Sequence, residues 1–429
     1  MSGAPVLTRR LLGWAFVAYA VLCLGSMATM SIGAGLLLGA LILDTRGGPD
    51  AQAMVHSAIR SADARRLGLA AVALFGALAT SLLAGAFFPL IYGEHRSEVY
   101  LFTELGKAWY LAWPFVLFAG LQRLSEVQRR RTLQAWLFAF AVFSAIGWVQ
   151  HFTGWPRPQD IPGMPGRYHA TLFLGHHLSV ASIVIFPFFV SLGLLASGEL
   201  KPWGLPRGFV ASAAVFGLGT LFLTYSRTLW VALPLGILCF VAWPLVFPPA
   251  PARPRWAALA GLGVTATGVL AALWAQPAIR ARLTNGMGTT ERENLWAANW
   301  EFFRARPLTG TGWHHNQEIS GYFLMEKFKT TEVFSGHAHN VVLDLLGGTG
   351  LLGLAAWIFW MLAVMRPLWP HRLQTSRERA LGVALLCAWG VFLINGLTQV
   401  NFWEAKVLHQ TMWIAAWTLF WSGSRELVR

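Results

Sequence analysis

Apolar residues in this chain fall in long runs separated by short polar connections. The runs are apolar on all sides, which suits helices surrounded by hydrocarbon or by other helices. Twelve of them reach or approach the ~20 residues that span a bilayer core. They are 11–25, 27–43, 67–92, 100–121, 133–150, 172–196, 208–224, 229–247, 257–275, 340–365, 380–398 and 407–422. Runs of this length predict helices, not the short alternating strands of a membrane barrel. The first two share a tight turn near Ser26, and the apolar stretch continues to Leu43 without a small-residue cleavage site. It therefore reads as a retained helix pair and not as a leader peptide. The expected architecture is an all-α integral membrane protein. Helices 1–9 occupy 1–275, one long outward loop occupies 276–339, and helices 10–12 occupy 340–429. No fixed-period repeat or low-complexity linker divides the chain, which predicts one membrane domain.

Composition agrees: 55% of the 429 residues are hydrophobic, 12% are charged, and the mean hydropathy is +0.52. Cys23, Cys239 and Cys387 all lie inside apolar runs, without metal or haem spacing, and no disulfide is expected. A net charge of +14 would suggest nucleic acid in a soluble protein. Here 20 of the 33 basic residues alternate onto one side of the predicted topology, from Arg9 and Arg10 to Arg425 and Arg429. The positive-inside rule makes that side the cytoplasm, with both termini there. Most of the charge is then topological, and no nucleic-acid partner is expected.

The remaining 13 basic residues and ten of the twelve histidines map to the outward side. A polar site is therefore expected to face outward, and four stretches there carry candidate chemistry. Ser335-Gly336-His337-Ala338-His339-Asn340 stands at the threshold of run 340–365. Asn340 is a natural helix cap, and polar groups at such a boundary are either paired or used. Asp344, one turn inside, reads as a packing or hydrogen-bonding partner. Thr290-Glu291-Arg292-Glu293 has a capping-box pattern and predicts a helix that ends near Arg304, Arg306 and Pro307. The helix dipole disfavours Arg292 at that start unless an acid, Glu291 or Glu293, or a phosphate offsets it. An amphipathic stretch follows from Glu318 to Phe334 and could lie on the bilayer surface.

Tyr225-Ser226-Arg227 links two runs, where Arg227 must snorkel, pair or bind an anion. Arg167 follows the Pro- and Gly-containing loop from Gly154 to Pro165. Arginine forks match phosphate oxygens, so Arg167, Arg227 and Arg292 together could hold a pyrophosphate without a metal. A metal set of His176, His177, His337 and His339 is the alternative, but its spacing matches no standard site.

These blocks resemble the O-antigen ligase family, within the broader group of O-antigen ligases and polymerases. The resemblance rests on Tyr225-Ser226-Arg227, on Arg292 with Trp296, and on Pro307-Leu308-Thr309-Gly310-Thr311-Gly312. It also rests on His339-Asn340 with Leu343, followed by Gly347, Gly350 and Gly353. The blocks run in order from about 225 to 353, with the long loop in the corresponding place. The resemblance implies a C-type glycosyltransferase-like fold in the bacterial inner membrane, with a periplasmic active site. It implies transfer of a glycan from undecaprenyl pyrophosphate to a sugar hydroxyl of lipid A–core, completing lipopolysaccharide, without cofactor, metal or ATP. The motif histidine corresponds to His339, whereas His337 has no counterpart in the general motif.

The implied chemistry fits the residues. A neutral imidazole, His339, would take the acceptor proton. Arg227 and Arg292, with Arg167 third, would stabilise the leaving pyrophosphate. Tyr225, His337 and Asn340 would help to position the substrates. A single displacement would invert the anomeric carbon. A polymerase or a protein oligosaccharyltransferase would use the same chemistry. A lipid-linked sugar transporter is the non-enzymatic alternative, and it would be expected to show repeated halves and charges near the bilayer midplane.

Overall fold

The computed structural model describes residues 4–45, 61–87, 98–198, 200–246, 275, 277, 289–329, 336–373 and 375–426. The predicted run 257–275 lies outside them except for its last residue, as do 278–288 and 330–335 of the outward loop.

The chain folds almost entirely into helices. The N-terminal half contains α1 (Ala4–Leu22), α2 (Met27–Thr45), α3 (Ala62–Phe87), α4 (Glu98–Gly106), α5 (Trp113–Arg123) and α6 (Glu126–Thr153). After a small hairpin come α7 (His177–Ser197), α8 (Arg207–Leu223) and α9 (Arg227–Val246). Two helices of the polar loop follow, α10 (Thr289–Ala305) and α11 (His315–Phe328). The chain then forms α12 (Val341–Met365), α13 (Ser376–Gly396) and α14 (Ala405–Glu426).

Local sequence sets several of these boundaries. Ser125 and Gln128 close a capping box at the start of α6, and Gly154 ends that helix with φ 77°. Thr375 and Glu378 close another at the start of α13. α10 starts and stops close to where the sequence places it.

Six helical segments among the described residues are long and apolar enough to cross a membrane. They are Met27–Thr45, Ala62–Phe87, Glu126–Thr153, His177–Ser197, Val341–Leu368 and Arg377–Gly396. Arg207–Leu223 and Arg227–Trp243 are shorter apolar helices. The protein is thus an all-α membrane type, with six candidate spans where the sequence suggests twelve. α7 is its central helix, with 89% of its apolar window buried. Hydrocarbon gives little hydrophobic drive for one helix to join another, so close packing must hold them. Gly193 of α7 accordingly lies against the Ala380 carbonyl and the Ala384 side chain of α13. Trp136, Trp360, Trp389 and Trp413 fill the fully buried volume.

The structure departs from the sequence reading in three places. Run 100–121 is not one helix: it breaks between α4 and α5 at a 3-10 turn, Lys107–Leu111. Lys107 pairs there with the buried Glu104, and Pro114 sits in the first turn of α5. The loop after α6 forms an antiparallel hairpin, β1 (Asp160–Ile161) with β2 (Met164–Tyr168). Its Pro162-Gly163 turn uses a glycine at φ 79°.

The third departure shapes the site. α12 is interrupted at Gly350, which has φ 64° and ψ −162°. The segment Pro307–Gly312 docks against this break. Thr311 N and Gly312 N donate to the Gly347 and Gly348 carbonyls, both at 2.9 Å. Leu351 N and Leu352 N donate to the Pro307 and Leu308 carbonyls at 2.8 and 3.2 Å. Backbone groups freed by a helix break must be satisfied by protein when no water is at hand.

Polar groups separate by end. At one end Arg123 pairs with buried Asp44, and Asp63 meets Arg366 at 3.4 Å and Arg372 at 2.9 Å. At the other end the C-termini of α6, α8 and α13 meet the N-termini of α7, α9, α12 and α14.

Gly310 (φ 63°) lies on the Gly348–Thr349 backbone, where a Cβ would collide, whereas Gly163 faces open space. Gly310→Ala is therefore expected to cost about 2–5 kcal/mol from combined strain and overpacking. Gly163→Ala should cost only about 1–2 kcal/mol. Thermal unfolding of the two purified variants checks this, and equal midpoints would contradict the docked arrangement.

Candidate active site

The His337-Ala338-His339 turn is held by its middle residue. Ala338, fully buried, donates its N–H to Asp344 Oδ1 at 3.2 Å. Its carbonyl accepts from Trp296 Nε1 at 2.8 Å. Asp344, buried in the first turn of α12, also accepts from Asn316 Nδ2 at 3.1 Å. Asn316 Nδ2 in turn reaches Asn299 Oδ1 at 2.7 Å. Gly347 makes room for this layer, since a Cβ there would strike the Asn299 amide. Asn340 caps α12, its Oδ1 accepting from Val342 N at 3.0 Å and Leu343 N at 3.1 Å. The backbone of the turn is thus fixed from α10, α11 and α12, and its two imidazoles project.

His339 adopts a left-handed backbone, φ 47°, which is uncommon for a side chain with a Cβ. This turns its ring back beside His337, with centroids 4.2 Å apart and planes at 48°. His339 Nδ1 faces Gln399 Oε1 at 3.2 Å. An amide oxygen only accepts, so Nδ1 carries the proton and Nε2 keeps its lone pair. His337 Nε2 is buried without a hydrogen-bond partner among the described residues.

The electrostatics follow from burial. Burial pushes the pKa of both imidazoles down from their ordinary value to about 4, and Arg292 adds to the effect on each. Both are therefore neutral at neutral pH. Arg292 lies one turn before Trp296 on the same face of α10, so the bond from Trp296 to Ala338 sets the guanidinium beside the turn. Burial and then Arg227 lower the Arg292 pKa. Arg227, at the first position of α9, is close enough to be felt at Arg292. His337, His339, Arg227 and Arg292 thus share one electrostatic neighbourhood.

The other predicted residues lie around it. Tyr225 (φ 55°) stacks on His151 at 5.9 Å and meets His169 edge-on at 5.7 Å, so it shapes the turn that presents Arg227. Arg167 sits on exposed β2, its guanidinium 4.8 Å above the Phe152 ring. It is one ring layer out, because Phe152 contacts His151 and His151 contacts Tyr225. His177 stacks on His169 at 4.3 Å, and its Nδ1 lies 3.4 Å from Gln159 Oε1. Burial lowers the His176 pKa, an effect that Glu404 opposes, and His176 in turn acts on both turn histidines. Among the described residues, no three His, Cys, Asp or Glu side chains gather as a metal ion requires.

Sequence reasoning missed three residues here. Gln399 sets the tautomer of His339. Buried Glu104 holds His314 Nδ1 at 2.8 Å, and His314 is felt at His337. Glu404 bonds to Ser179 Oγ and keeps Oε2 buried without a partner among the described residues. With only 19 acidic residues in the chain, an acid inside or beside an apolar run was the available signal.

The fold and site define a predominantly helical membrane protein with buried neutral histidines and neighbouring arginines at one end of its bundle. A family model described as O-antigen ligase matches residues 212–358, which contain Arg227, Arg292, His337 and His339. The match covers about a third of the chain, and over that stretch the chain is similar to the O-antigen ligase family, a bacterial membrane family of glycosyltransferase-like ligases and polymerases. No curated protein matches the chain.

Two outcomes are expected. In histidine-labelled protein, NMR should show the His337 and His339 imidazoles still neutral well below pH 6.5 and titrating near 4, where an unfolded histidine protonates near 6.5. As pH falls through that window the unfolded state takes up protons first, so stability should drop there and stay level above it. Ordinary titration of all histidines near 6.5 would contradict the buried site. Trp296→Phe should cost about 1 kcal/mol of stability through the lost bond to Ala338. It should also shift the His339 NMR signals, whereas an unchanged His339 environment would show that Trp296 does not hold the turn.

Proposed function

We propose that the chain transfers a glycan from undecaprenyl pyrophosphate to a sugar hydroxyl of lipid A–core at the periplasmic face of the inner membrane. The observation that carries this reading is the juxtaposition of an oriented, neutral His339 with Arg292 and Arg227. Two guanidiniums that repel one another form a natural seat for a phosphate-rich anion.

In this reading the acceptor hydroxyl gives its proton to His339 Nε2 as its oxygen bonds to the anomeric carbon. The bond from that carbon to the pyrophosphate oxygen breaks, and its electron pair leaves with the undecaprenyl pyrophosphate. Arg227 and Arg292 stabilise the charge that grows on that oxygen. Gln399 stabilises the positive charge arriving on His339 by accepting from Nδ1–H. Attack opposite the leaving group inverts the anomeric centre. The arginines are bound to the leaving group throughout and meet more charge in the transition state, so they contribute to both binding and rate. The site lies at the end of an apolar bundle, which suits a donor whose polyprenyl chain stays in the bilayer.

The test is reconstitution of the purified protein in vesicles with undecaprenyl-pyrophosphate-linked glycan and lipid A–core, in the presence of EDTA. The expected product is glycan joined to core. His339→Ala should lower turnover by about 10²–10⁴-fold, the range of general-base catalysis. Arg292→Ala should lower it by about 10²–10³-fold. Free polymer without core attachment would replace the ligase reading with a polymerase, and full activity in His339→Ala would remove the base assignment.

A further inference from the structure

We propose that the end of the bundle opposite the His339 turn holds a binding site for the phosphate headgroup of an anionic bilayer phospholipid. α6 runs from Glu126 at that end to His151 beside Tyr225. α13 runs from Ser376 to Gly396, just before Gln399. Where these helices begin, a cavity of about 450 Å³ opens between the first turns of α6 and α13, the 3-10 turn Lys201–Trp203 and the end of α14. The lengths of α6 (28 residues) and α13 (21 residues) separate it from the candidate active site.

Three arginines line it. Arg129 lies 4.8 Å over the Phe420 ring and donates to the Leu121 and Leu124 carbonyls. Arg377 lies 4.6 Å over the Trp203 ring. Both guanidiniums are therefore held in place by aromatic faces. Arg130 Nε is buried in this wall with no acceptor among the described residues. A buried charged donor without an acceptor is costly, and an anion entering the cavity would satisfy it.

Two carboxylates also line the cavity, and they limit which anion fits. Glu378 is engaged in the cap of α13, its Oε2 accepting from Thr375 N at 3.3 Å. Glu126 is exposed in the first turn of α6. Three guanidiniums against two carboxylates leave one net positive charge, which matches the single negative charge of a phosphodiester better than a multiply charged phosphate. Trp203, Phe420, Trp421 and the neighbouring leucines supply the apolar wall that acyl chains need. Basic pockets between membrane helices recognise lipid headgroups in this manner.

The experiment uses the full chain, delipidated in detergent, with lipid binding followed by native mass spectrometry. Phosphatidylglycerol, phosphatidylethanolamine and inorganic phosphate are the probes. Phosphatidylglycerol should bind about tenfold more tightly than phosphatidylethanolamine, and inorganic phosphate should not displace it. Arg130→Gln combined with Arg377→Gln should weaken phosphatidylglycerol by about tenfold or more. Equal binding of the two lipids, displacement by inorganic phosphate, or an unaffected double variant would each overturn the proposal. If the double variant does not fold, Arg130→Lys decides. It keeps the charge and removes Nε, so an unchanged lipid preference in that variant would equally overturn it.

Discussion

The candidate site depends on one broken helix. α12 loses its regular hydrogen bonds at Gly350, and Pro307–Gly312 supplies replacements on both sides of the break. That segment joins the end of α10 to the start of α11, so docking it fixes both helices against α12. Two contacts then converge on a single peptide unit: Trp296 of α10 reaches the Ala338 carbonyl, and Asp344 of α12 takes the Ala338 N–H. Asn316 of α11 steadies Asp344. Without the break and its docked loop, the two flanking histidines would have no fixed positions relative to Arg292.

The same construction sets the chemistry. Burying imidazoles favours their neutral form, and placing guanidiniums nearby pushes in the same direction. A neutral imidazole with its Nδ1 proton committed to Gln399 is a base aimed through Nε2. Arg227 and Arg292 repel one another, and an anion bound between them would offset that repulsion. That repulsion is a local destabilisation of the kind expected where stability is given up for function. A bound pyrophosphate would also raise the low imidazole pKa toward neutrality, strengthening the base when substrate is present.

Much of this was legible in the sequence. Apolar run length gave the helical membrane class, and Asn340 announced the cap that it forms. Arg292 and Trp296, four residues apart, share a helix face as their spacing predicts. What the sequence did not reveal has physical reasons. Gly350 in an apolar run reads as a packing glycine, because a broken helix and a closely packed one use the same residue. The break within 100–121 was hidden because Glu104 and Lys107 neutralise each other and hydropathy does not register the pair. Glu104 and His314 are 210 residues apart, so nothing local links them. The three arginines of the opposite end read as topology, and only their packing against Phe420 and Trp203 shows a shaped cavity.

The proposed reaction divides the labour: His339 would act on the acceptor, and Arg227 with Arg292 would hold the donor pyrophosphate. Equilibrium binding of undecaprenyl pyrophosphate to purified variants tests it without requiring turnover. His339→Ala should bind the lipid about as tightly as the unaltered protein. Arg292→Ala should bind it about 10–100-fold more weakly, as expected for loss of a charge-assisted contact of about 1.5–3 kcal/mol. Weak binding by His339→Ala together with unimpaired binding by Arg292→Ala would contradict the account.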